Sequence, residues 1–545
     1  MSQHIVVIGG VALGPKAACR FKRVEPGSKV TMVDQSSLIS YGGCGIPYYV
    51  SGDVSDAREL CTTSFHMVRD AQFFKDVKGV DVRTLTKATG IDRDKKVVRL
   101  EDVTTGETSA LEYDKLVIAT GAAPRRLGLP GEDLTGVNCV CNPNDATTIR
   151  DAISRGEVGS AVIIGAGFIG LEMAEALADM WGVETSVVEI TDQIMPRLVS
   201  PSLATMAQKH MEEGGVEFHF GEKVVAIEGE DGRVQRVITD KRVLEADAVI
   251  IAAGVVPNSD IAKDAGLEVH PRGGVVVDEF MRTSDPNVYS GGDCAIVRHL
   301  ISNEPFFLPL GSMANRQGRV IGTNLAGGDA RFDGVVGSFV VKLFEGSLAG
   351  TGLSLEGALA SGFDAVSVTL VQMDREHFYP SKERMSLEMT VDRATRRVLG
   401  VQGFGSSGDA MVGRVNAVAA ILKNEPTIDD VAELEMAYAP PFAATTDILN
   451  TLAGLADKVL HGLNDGVDAD GFHELWDERS QGECHFVDCC NQSTAKEYIE
   501  NNPQSWETIP EGRVSELSDD FPHEKPLVLV CSAGGRAYTA KVADS

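Results

Sequence analysis

The stretch that decides the fold is SAVIIGAGFIGLEMAEALADM, residues 160–180. An apolar run leads into the glycines of a G-x-G-x-x-G pattern, and a helical pattern of Leu, Met and Ala follows them. A glycine turn between a strand and a helix lets the backbone approach a pyrophosphate, whose negative charge is favoured at the helix N-terminus. This stretch therefore predicts a βαβ unit that binds a dinucleotide.

The residues around this turn predict how the nucleotide is held. TSVVEI, residues 185–190, ends a second strand in Glu189, where a carboxylate can accept a hydrogen bond from a ribose hydroxyl. Because an acidic residue at this point favours a free 2′-hydroxyl, NADH is expected and NADPH is less favoured. The predicted NAD(H) contacts are Gly165, Gly167, Phe168, Ile169, Gly170, Glu189 and Gly254.

A second unit of the same kind lies near the start of the chain. IVVIGGVALGPKAACRF, residues 5–21, reads as a strand, a glycine turn at Gly9 and a helix that Gly14 lets approach the strand. Val11 occupies the position of the middle glycine, and the next apolar strand ends in Asp34, a second acceptor for a ribose hydroxyl. Two such units in one chain predict two cofactors that exchange electrons.

Length, composition and charge restrict the class of protein. The 545 residues, 43% of them hydrophobic and 24% charged, predict several globular domains. The formal net charge of −29 disfavours nucleic-acid backbones and anionic membranes as partners. No basic targeting segment precedes the first strand and no apolar run reaches the roughly 20 residues of a membrane span, so a cytoplasmic location is expected.

The cysteines predict working thiols and no metal site. The chain has 10 cysteines and no C-x-x-C pair. This usage fits a reducing compartment, and it lacks the ligand spacing of a structural zinc site.

Further turns complete a pattern that resembles a known family. YDKLVIATGAAP (113–124) and ADAVIIAAGVVPN (246–258) run into A-[TA]-G turns, and TSDPNVYSGGDCA (283–295) ends in G-G-D. Residues 1 to about 455 resemble the flavin-dependent pyridine nucleotide–disulfide oxidoreductases, which implies FAD in the first unit and NAD(P)H in the second. The resemblance, together with the first fingerprint, implies FAD contacts at Gly9, Val11, Gly14, Asp34, Ala88, Thr120, Gly121, Gly292 and Asp293.

The branch of that family is indicated by SYGGCGIPYY, residues 40–49. Dithiol members carry C-x-x-x-x-C, whereas the fifth residue after Cys44 is Tyr49. The stretch is similar to single-cysteine members, which are coenzyme A-disulfide reductases, NADH-dependent persulfide or polysulfide reductases, and NADH oxidases or peroxidases. Cys44 would then cycle as thiolate, mixed disulfide, persulfide or sulfenic acid. Many relatives have Asn before the cysteine, where this chain has Gly43.

The resemblance extends to an interface domain with two tyrosines of interest. Tyr379 in REHFYP and Tyr438 in LEMAYAPPF match tyrosines that, in relatives, reach the cysteine of the other subunit. A phenol there could donate a proton to a leaving thiolate, and a homodimer is implied. The alternative for each tyrosine is a packing role with a satisfied hydroxyl.

A further domain is predicted from KPLVLVCSAGGRAYTA, residues 525–540. Cys531 and Arg536 span C-x-x-x-x-R, a loop whose backbone N–H groups can form an anion nest that favours a thiolate or persulfide. The loop resembles that of rhodanese sulfurtransferases, which implies that Cys531 carries sulfane sulfur. Where rhodaneses usually have Asp-Val-Arg, residues 488–490 read Asp-Cys-Cys.

The predicted fold is α/β, with two Rossmann-like dinucleotide-binding domains, an α+β dimerisation domain and a C-terminal rhodanese-like domain. The predicted boundaries are 1–148 and 257–325 for the FAD domain, 149–256 for the NAD(H) domain, 326–455 for the dimerisation domain, 456–470 for a linker and 471–545 for the rhodanese-like domain.

The predicted function is the NADH-dependent reduction of persulfide, polysulfide, CoA-disulfide or CoA-persulfide substrates through Cys44, with FAD as cofactor and coenzyme A as a substrate or bound ligand. The rhodanese-like domain favours persulfide or polysulfide, and Cys531 could deliver sulfur to Cys44 or receive it from a donor. One alternative is an NADH oxidase or peroxidase with a sulfenic acid at Cys44. Another is a sulfur carrier or redox sensor with little turnover.

Overall fold

The structure is a computed structural model that divides into two compact units. The first unit comprises Met1–Pro196 and Gln208–Gly337, and the second comprises Arg197–Ala207 and Ser338–Ser545. The residues that the structure describes are 2–467, 469–478, 484–490, 492–501, 506–508, 527–531 and 537.

The described strands are mostly short and apolar. In chain order they are β1 (His4–Ile8), β2 (Lys29–Val33), β3 (Asp81–Arg83), β4 (Thr86–Asp92), β5 (Val97–Asp102), β6 (Thr108–Glu112), β7 (Lys115–Ile118), β8 (Ala122–Pro124), β9 (Val137–Asn138), β10 (Ser160–Ile164), β11 (Glu184–Glu189), β12 (Val216–Phe220), β13 (Val224–Glu230), β14 (Arg233–Thr239), β15 (Val243–Glu245), β16 (Ala248–Ile251), β17 (Val255–Pro257), β18 (Val275–Val276), β19 (Val288–Ser290), β20 (Ala295–Arg298), β21 (Pro305–Phe306), β22 (Phe339–Leu343), β23 (Gly346–Gly352), β24 (Ala365–Met373), β25 (Arg384–Asp392), β26 (Val398–Gly405), β27 (His485–Asp488), β28 (Trp506–Thr508) and β29 (Leu527–Val530).

Helices separate many of these strands. They are α1 (Leu13–Val24), α2 (Ile46–Ser51), α3 (Ala71–Phe73), α4 (Pro143–Ser154), α5 (Phe168–Ala178), α6 (Pro201–Glu213), α7 (Asp260–Asp264), α8 (Gly311–Leu325), α9 (Leu355–Ala360), α10 (Gly408–Leu422), α11 (Ile428–Ala432), α12 (Ile448–Leu460), α13 (Ala469–Glu478) and α14 (Gln492–Asn501). Short 3₁₀ turns lie at Gly43–Gly45, Ala57–Cys61 and Gly292–Cys294, and a π-helical turn lies at Phe74–Lys78.

Two parallel sheets form the framework of the first unit. Their strand orders are β19-β7-β1-β2-β3 and β12-β11-β10-β16-β9, and every pairing within them is parallel. Buried parallel strands read as continuous apolar runs because both faces of such a sheet are covered. The predicted α/β class with two dinucleotide-binding units is confirmed.

Glycines let two helices of the first unit pack closely. A Cβ built at Gly318 in α8 would lie 2.9 Å from the Leu13 carbonyl oxygen, and one at Gly322 would lie 2.6 Å from the Ala17 carbonyl oxygen. Because α8 can approach α1 only without side chains at these positions, the two glycines help to fix where α8 begins. That N-terminus belongs to the site described below.

The second unit contains a five-stranded antiparallel sheet in the order β22-β23-β26-β25-β24. Its strand β25 is buried along nearly its whole length, since α10 and α12 cover the sheet. This part of the chain matches the predicted α+β arrangement. The domain boundaries themselves remain predictions.

A small parallel sheet, β28-β27-β29, lies in the C-terminal part of the second unit. Its core holds Phe486 and Trp506, which stack with their ring centroids 5.9 Å apart. Cys531 follows β29 directly, whereas residues 532–536, including Arg536, lie outside the described residues. Among the described helices, none combines the length and apolar character that a membrane crossing requires.

Candidate active site

The first glycine turn is shaped by close contacts that only glycine allows. Gly9 has a φ of +109°, and a Cβ built there would lie 2.0 Å from the Ala119 carbonyl oxygen. A Cβ at Gly14 would lie 1.9 Å from the Gly9 carbonyl oxygen. The turn thus holds β1 and α1 together, with Val11 just before the helix.

Asp34 lies at the end of β2 and orders this turn. Its carboxylate accepts hydrogen bonds from the Gly10 N–H at 2.7 Å and the Ser36 N–H at 2.8 Å. Burial raises the pKa of this carboxyl, so its charged form depends on these donors. Ala88, a further predicted FAD contact, lies half-buried in β4.

A side chain that sequence reasoning did not select holds the turn after β7. The Asn258 side chain donates to the Thr120 carbonyl oxygen at 2.9 Å, and its backbone N–H donates to the Gly121 carbonyl oxygen at 2.9 Å. The Thr120 hydroxyl in turn donates to the Asn258 carbonyl oxygen at 2.5 Å. These hydrogen bonds hold the A-T-G turn, residues 119–121, against the segment that follows β17.

The G-G-D turn after β19 is held by the helix that crosses it. Gly292 has a φ of +71°, and its N–H donates to Gln317 Oε1 on α8 at 2.6 Å. Burial raises the pKa of the neighbouring Asp293 carboxyl to about 6. A half-buried carboxyl of this kind is suited to accept hydrogen bonds from the hydroxyl groups of a ligand.

These turns fit an FAD. The fit is seen at Gly121, where a built Cβ would meet no atom of the described chain within 4 Å, and at Asp293, a half-buried carboxyl whose pKa is raised by burial. Each residue's individual contact with the cofactor remains a prediction.

The second glycine turn is built in the same way as the first, and it leaves free space in front of the N-terminus of α5. A Cβ at Gly170 would lie 1.9 Å from the Gly165 carbonyl oxygen, so α5 lies tightly against β10. A Cβ at Gly167 would meet no atom within 4 Å, and the same holds at Gly254. The space before Phe168 and Ile169, the first residues of α5, therefore fits a pyrophosphate.

Glu189 is fixed at the end of β11. Its carboxylate accepts from the Ala166 N–H at 2.8 Å, and from the Thr191 N–H and hydroxyl at 2.9 and 3.0 Å. The next side chain, Ile190, is 64% exposed and apolar, so it offers no cation to a 2′-phosphate. This geometry fits the ribose of a pyridine dinucleotide.

Cys44 is exposed in the 3₁₀ turn that leads into α2. The turn is held by the Gly42 N–H, which donates to the Leu60 carbonyl oxygen at 2.8 Å. A Cβ built at Gly311, the first residue of α8, would lie 3.6 Å from the Cys44 sulfur. The sulfur thus lies beside the N-terminus of this 15-residue helix, where the helix dipole favours a negatively charged group.

The glycine before the cysteine is not required by packing. A Cβ built at Gly43 would find only a Tyr41 ring carbon, at 3.9 Å, among its nearest atoms. An asparagine side chain could therefore begin there without a clash.

A tyrosine–glutamate pair lies one helical turn after the cysteine. The Tyr48 hydroxyl donates to Glu172 Oε1 on α5 at 3.5 Å. Burial raises the pKa of Glu172 to about 7, and burial together with this carboxyl raises the pKa of Tyr48 to about 12. The helix α5, which follows the second glycine turn, thus contacts α2, the helix that directly follows the cysteine turn. Neither residue follows from a motif spacing.

A second tyrosine–glutamate pair lies in the second unit. Glu376 Oε1 accepts from the Tyr438 hydroxyl at 3.3 Å, from the Thr445 N–H at 2.7 Å and from the Thr445 hydroxyl. The Tyr379 N–H donates to the Glu376 carbonyl oxygen at 2.9 Å. Glu376 therefore connects the segments that carry both predicted tyrosines, and Tyr438 itself is 49% exposed.

A family model described as pyridine nucleotide-disulphide oxidoreductase matches residues 3–318, and the model of its dimerisation domain matches residues 339–448. The NAD(P)H sulfur oxidoreductase (CoA-dependent) of Pyrococcus abyssi is 35% identical over 453 residues, which cover 83% of this chain and 98% of that protein. The NADH oxidase of Methanocaldococcus jannaschii is 31% identical over 456 residues, 84% of this chain and 99% of its own. A solved NAD-dependent persulfide reductase from A. fulgidus matches with a TM-score of 0.92 and 35% identity, covering 98% of this chain and 96% of that one.

Proposed function

The chain belongs to the pyridine nucleotide-disulphide oxidoreductase family, and we propose that it is an FAD-dependent enzyme that reduces persulfide, polysulfide or CoA-disulfide substrates with NADH. The observation that carries the proposal is the exposed Cys44 sulfur beside the N-terminus of α8, in a turn whose sequence supplies no second thiol. A lone, accessible thiolate can open the S–S bond of a small substrate and hold the sulfur.

The two glycine turns would hold the cofactors. FAD would lie along Gly9, Asp34, Thr120 and Asp293, and when bound it supplies two-electron transfer between NADH and sulfur. The fixed Glu189 carboxylate supports a preference for NADH over NADPH.

The sulfur step begins at Cys44. Its thiolate attacks the outer sulfur of a persulfide R–S–SH, so the S–S bond breaks, R–S⁻ leaves and a persulfide forms on the cysteine. Two electrons that originate in NADH then return Cys44 to the thiolate and release hydrosulfide. With a disulfide substrate, the same attack gives a mixed disulfide and one thiol.

Tyr438 and Tyr379 are proposed to protonate the leaving thiolate from the other subunit of a homodimer. Of the three donors on Glu376 Oε1, the Tyr438 hydroxyl is the most distant from it, so its proton is the one most easily turned toward a sulfur anion. The match to the family's dimerisation domain supports this arrangement.

The C-terminal part of the chain is proposed to be a rhodanese-like domain in which Cys531 carries sulfane sulfur. The parallel sheet that ends at Cys531, and the similarity of 98% of the chain to a solved persulfide reductase, support this assignment. A dedicated sulfur carrier would favour persulfide or polysulfide as the substrate.

The test measures NADH consumption and hydrosulfide release with CoA persulfide, CoA disulfide, polysulfide and oxygen side by side. Cys44→Ser is expected to abolish hydrosulfide release. Cys61→Ser, at a half-buried thiol on the adjoining 3₁₀ turn, is a matched control that should retain it. An unchanged rate in the Cys44→Ser protein would overturn the mechanism.

A second candidate is an NADH oxidase or peroxidase that uses a sulfenic acid at Cys44. The similarity to a protein named NADH oxidase favours it. Faster NADH consumption with oxygen than with any sulfur substrate would establish this activity instead. Slow turnover with every substrate would favour a sulfur carrier or redox sensor.

A further inference from the structure

Two cysteines directly follow adjacent parallel strands of the small C-terminal sheet. Strands β27 and β29 are parallel, and their register pairs Asp488 with Val530. Cys489 follows the first strand and Cys531 follows the second. Because parallel strands end at the same edge of a sheet, the topology brings together cysteines that lie far apart in sequence.

One hydrogen bond of the Asp488–Val530 pair comes from the residue that follows β27. The Cys489 N–H donates to the Val530 carbonyl oxygen at 2.7 Å. In a parallel ladder, an N–H bonds to the residue that precedes its lateral neighbour, so Cys489 is the neighbour of Cys531. Adjacent strands lie about 4.8 Å apart, which is within the Cα separation that a disulfide bridges.

The next residue provides an internal contrast. Cys490 is expected to face the opposite side of the sheet from Cys489, since successive residues of an extended chain alternate. Its N–H donates to Asp488 Oδ1 at 2.7 Å, and the other Asp488 oxygen accepts from Trp506 Nε1 at 3.3 Å. The buried Asp488 thereby fixes the turn that presents both cysteines.

The two neighbouring thiols differ in their access to solvent. Cys489 is only 5% exposed, and its sulfur contacts the Val487 carbonyl oxygen at 4.0 Å. Cys531 is half-exposed. An external sulfur donor therefore reaches Cys531 more easily than Cys489. Cys489, as the neighbour of Cys531, can react with sulfur that is bound to Cys531.

We propose that Cys489 is a resolving thiol for sulfur carried by Cys531, an inference that rests on the proposed sulfane-sulfur role of Cys531. The Cys489 thiol loses its proton to water, and the thiolate attacks the inner sulfur of the Cys531 persulfide. The persulfide S–S bond breaks, hydrosulfide leaves and a Cys489–Cys531 disulfide forms. The sulfane sulfur gains the two electrons that the two cysteines lose.

A low-molecular-weight thiol restores the pair. The first thiol molecule opens the protein disulfide to a mixed disulfide, and a second displaces it as RSSR, which leaves both cysteines reduced. That small disulfide belongs to the substrate class proposed for Cys44. The two sites would then act in sequence, with NADH as the final source of electrons.

The experiment uses full-length protein that carries Cys44→Ser, so that sulfide formed at Cys44 does not contribute. This parent and its Cys489→Ser, Cys490→Ser and Cys531→Ser derivatives are incubated with inorganic polysulfide, and hydrosulfide is measured. Thiols are then alkylated and the peptides are mapped by mass spectrometry. A second arm treats the parent with diamide, which oxidises neighbouring thiols without adding sulfur.

The parent and the Cys490→Ser protein should release hydrosulfide and yield the linked Cys489–Cys531 peptide, and diamide should form the same link. Cys489→Ser should lose the linked peptide, release only the hydrosulfide that leaves when polysulfide loads Cys531, and accumulate a persulfide on Cys531. A stable Cys531 persulfide in the parent, or no link with diamide, would overturn the resolving role alone. No persulfide on Cys531 in the Cys489→Ser protein would overturn the sulfur-carrying role and, with it, this inference.

Discussion

Each unit of the molecule contains a tyrosine hydroxyl that faces a glutamate, and the pKa values of the two glutamates are shifted in opposite directions. Glu172, beside Tyr48 in the first unit, has one contact of 3.5 Å, and burial raises its pKa to about 7. Glu376, beside Tyr438 in the second unit, receives three donors that lower its pKa, those of Thr445 foremost. Hydrogen-bond donors stabilise the charged form of a carboxyl, whereas burial destabilises it. The balance of these two effects sets the pKa of each glutamate.

The comparison assigns the two pairs different roles. A carboxyl that titrates near neutral pH can gain or lose a proton during turnover, whereas a carboxylate held by three donors acts as a fixed anion. Tyr48–Glu172 is suited to proton exchange near Cys44, and Glu376 is suited to orient Tyr438. Substitutions that affect either proton transfer or the orientation of Tyr438 test whether the two pairs have these different roles.

The largest effect is expected for Tyr438→Phe. Loss of a proton donor to the leaving thiolate should lower kcat for hydrosulfide release by about 100-fold, with a smaller change in KM. Steady-state kinetics with a persulfide substrate measures it. Phe378→Leu, which changes an exposed side chain beside the other tyrosine, is the control and should retain most of the activity. A kcat within twofold of wild type would remove Tyr438 from the mechanism.

Glu172→Gln is expected to change how stability depends on pH. The folded-state pKa of about 7 exceeds the usual carboxyl value, so the folded protein binds more protons than the unfolded chain between these values. The free energy of unfolding of the wild-type protein should therefore decrease as pH rises through this window. The variant should not show this decrease, because its amide does not titrate. The variant's advantage should reach about 2 kcal/mol above pH 7, after discounting for partial exposure.

Urea unfolding of both proteins at about pH 5 and about pH 8 measures this difference. Glu175→Gln is not a suitable control, because the Glu175 charge contributes to the raised pKa of Glu172. Glu157→Gln, at an exposed carboxylate paired with Arg155, is preferable, because hydrogen bonds lower its pKa. Parallel pH profiles for wild type and Glu172→Gln would show that Glu172 is ionised in the folded protein.

The smallest effect is expected for Glu376→Gln. The amide keeps an acceptor for Thr445 but loses the charge that orients the Tyr438 hydroxyl, so kcat should fall about fivefold. The pH profile of kcat distinguishes positioning from mere structural support, since a misplaced phenol changes the profile whereas a loss of folded protein scales it uniformly. A profile of unchanged shape would contradict the positioning role.

Both glycine fingerprints could be predicted from sequence, because the glycine that lets the helix approach the strand is required by a contact with the first glycine of the same turn. Gly14 and Gly170 are required where a Cβ would lie 1.9 Å from a carbonyl oxygen, and only glycine satisfies that condition. The parallel strands before them were predictable for a related reason, since strands buried on both faces must be apolar throughout.

The sequence by itself therefore determined the two dinucleotide-binding units, and it predicted a single redox cysteine at Cys44 and an acidic residue at the end of β11, each from a local pattern of backbone freedom and charge. Only the tertiary structure decided which partners these residues meet. Gly311 reaches the Cys44 sulfur from a distant helix, Glu172 meets Tyr48 across α5 and α2, and Cys489 becomes the neighbour of Cys531. The physical reason is that helix packing and strand register join residues far apart in sequence, and no spacing along the chain encodes those contacts.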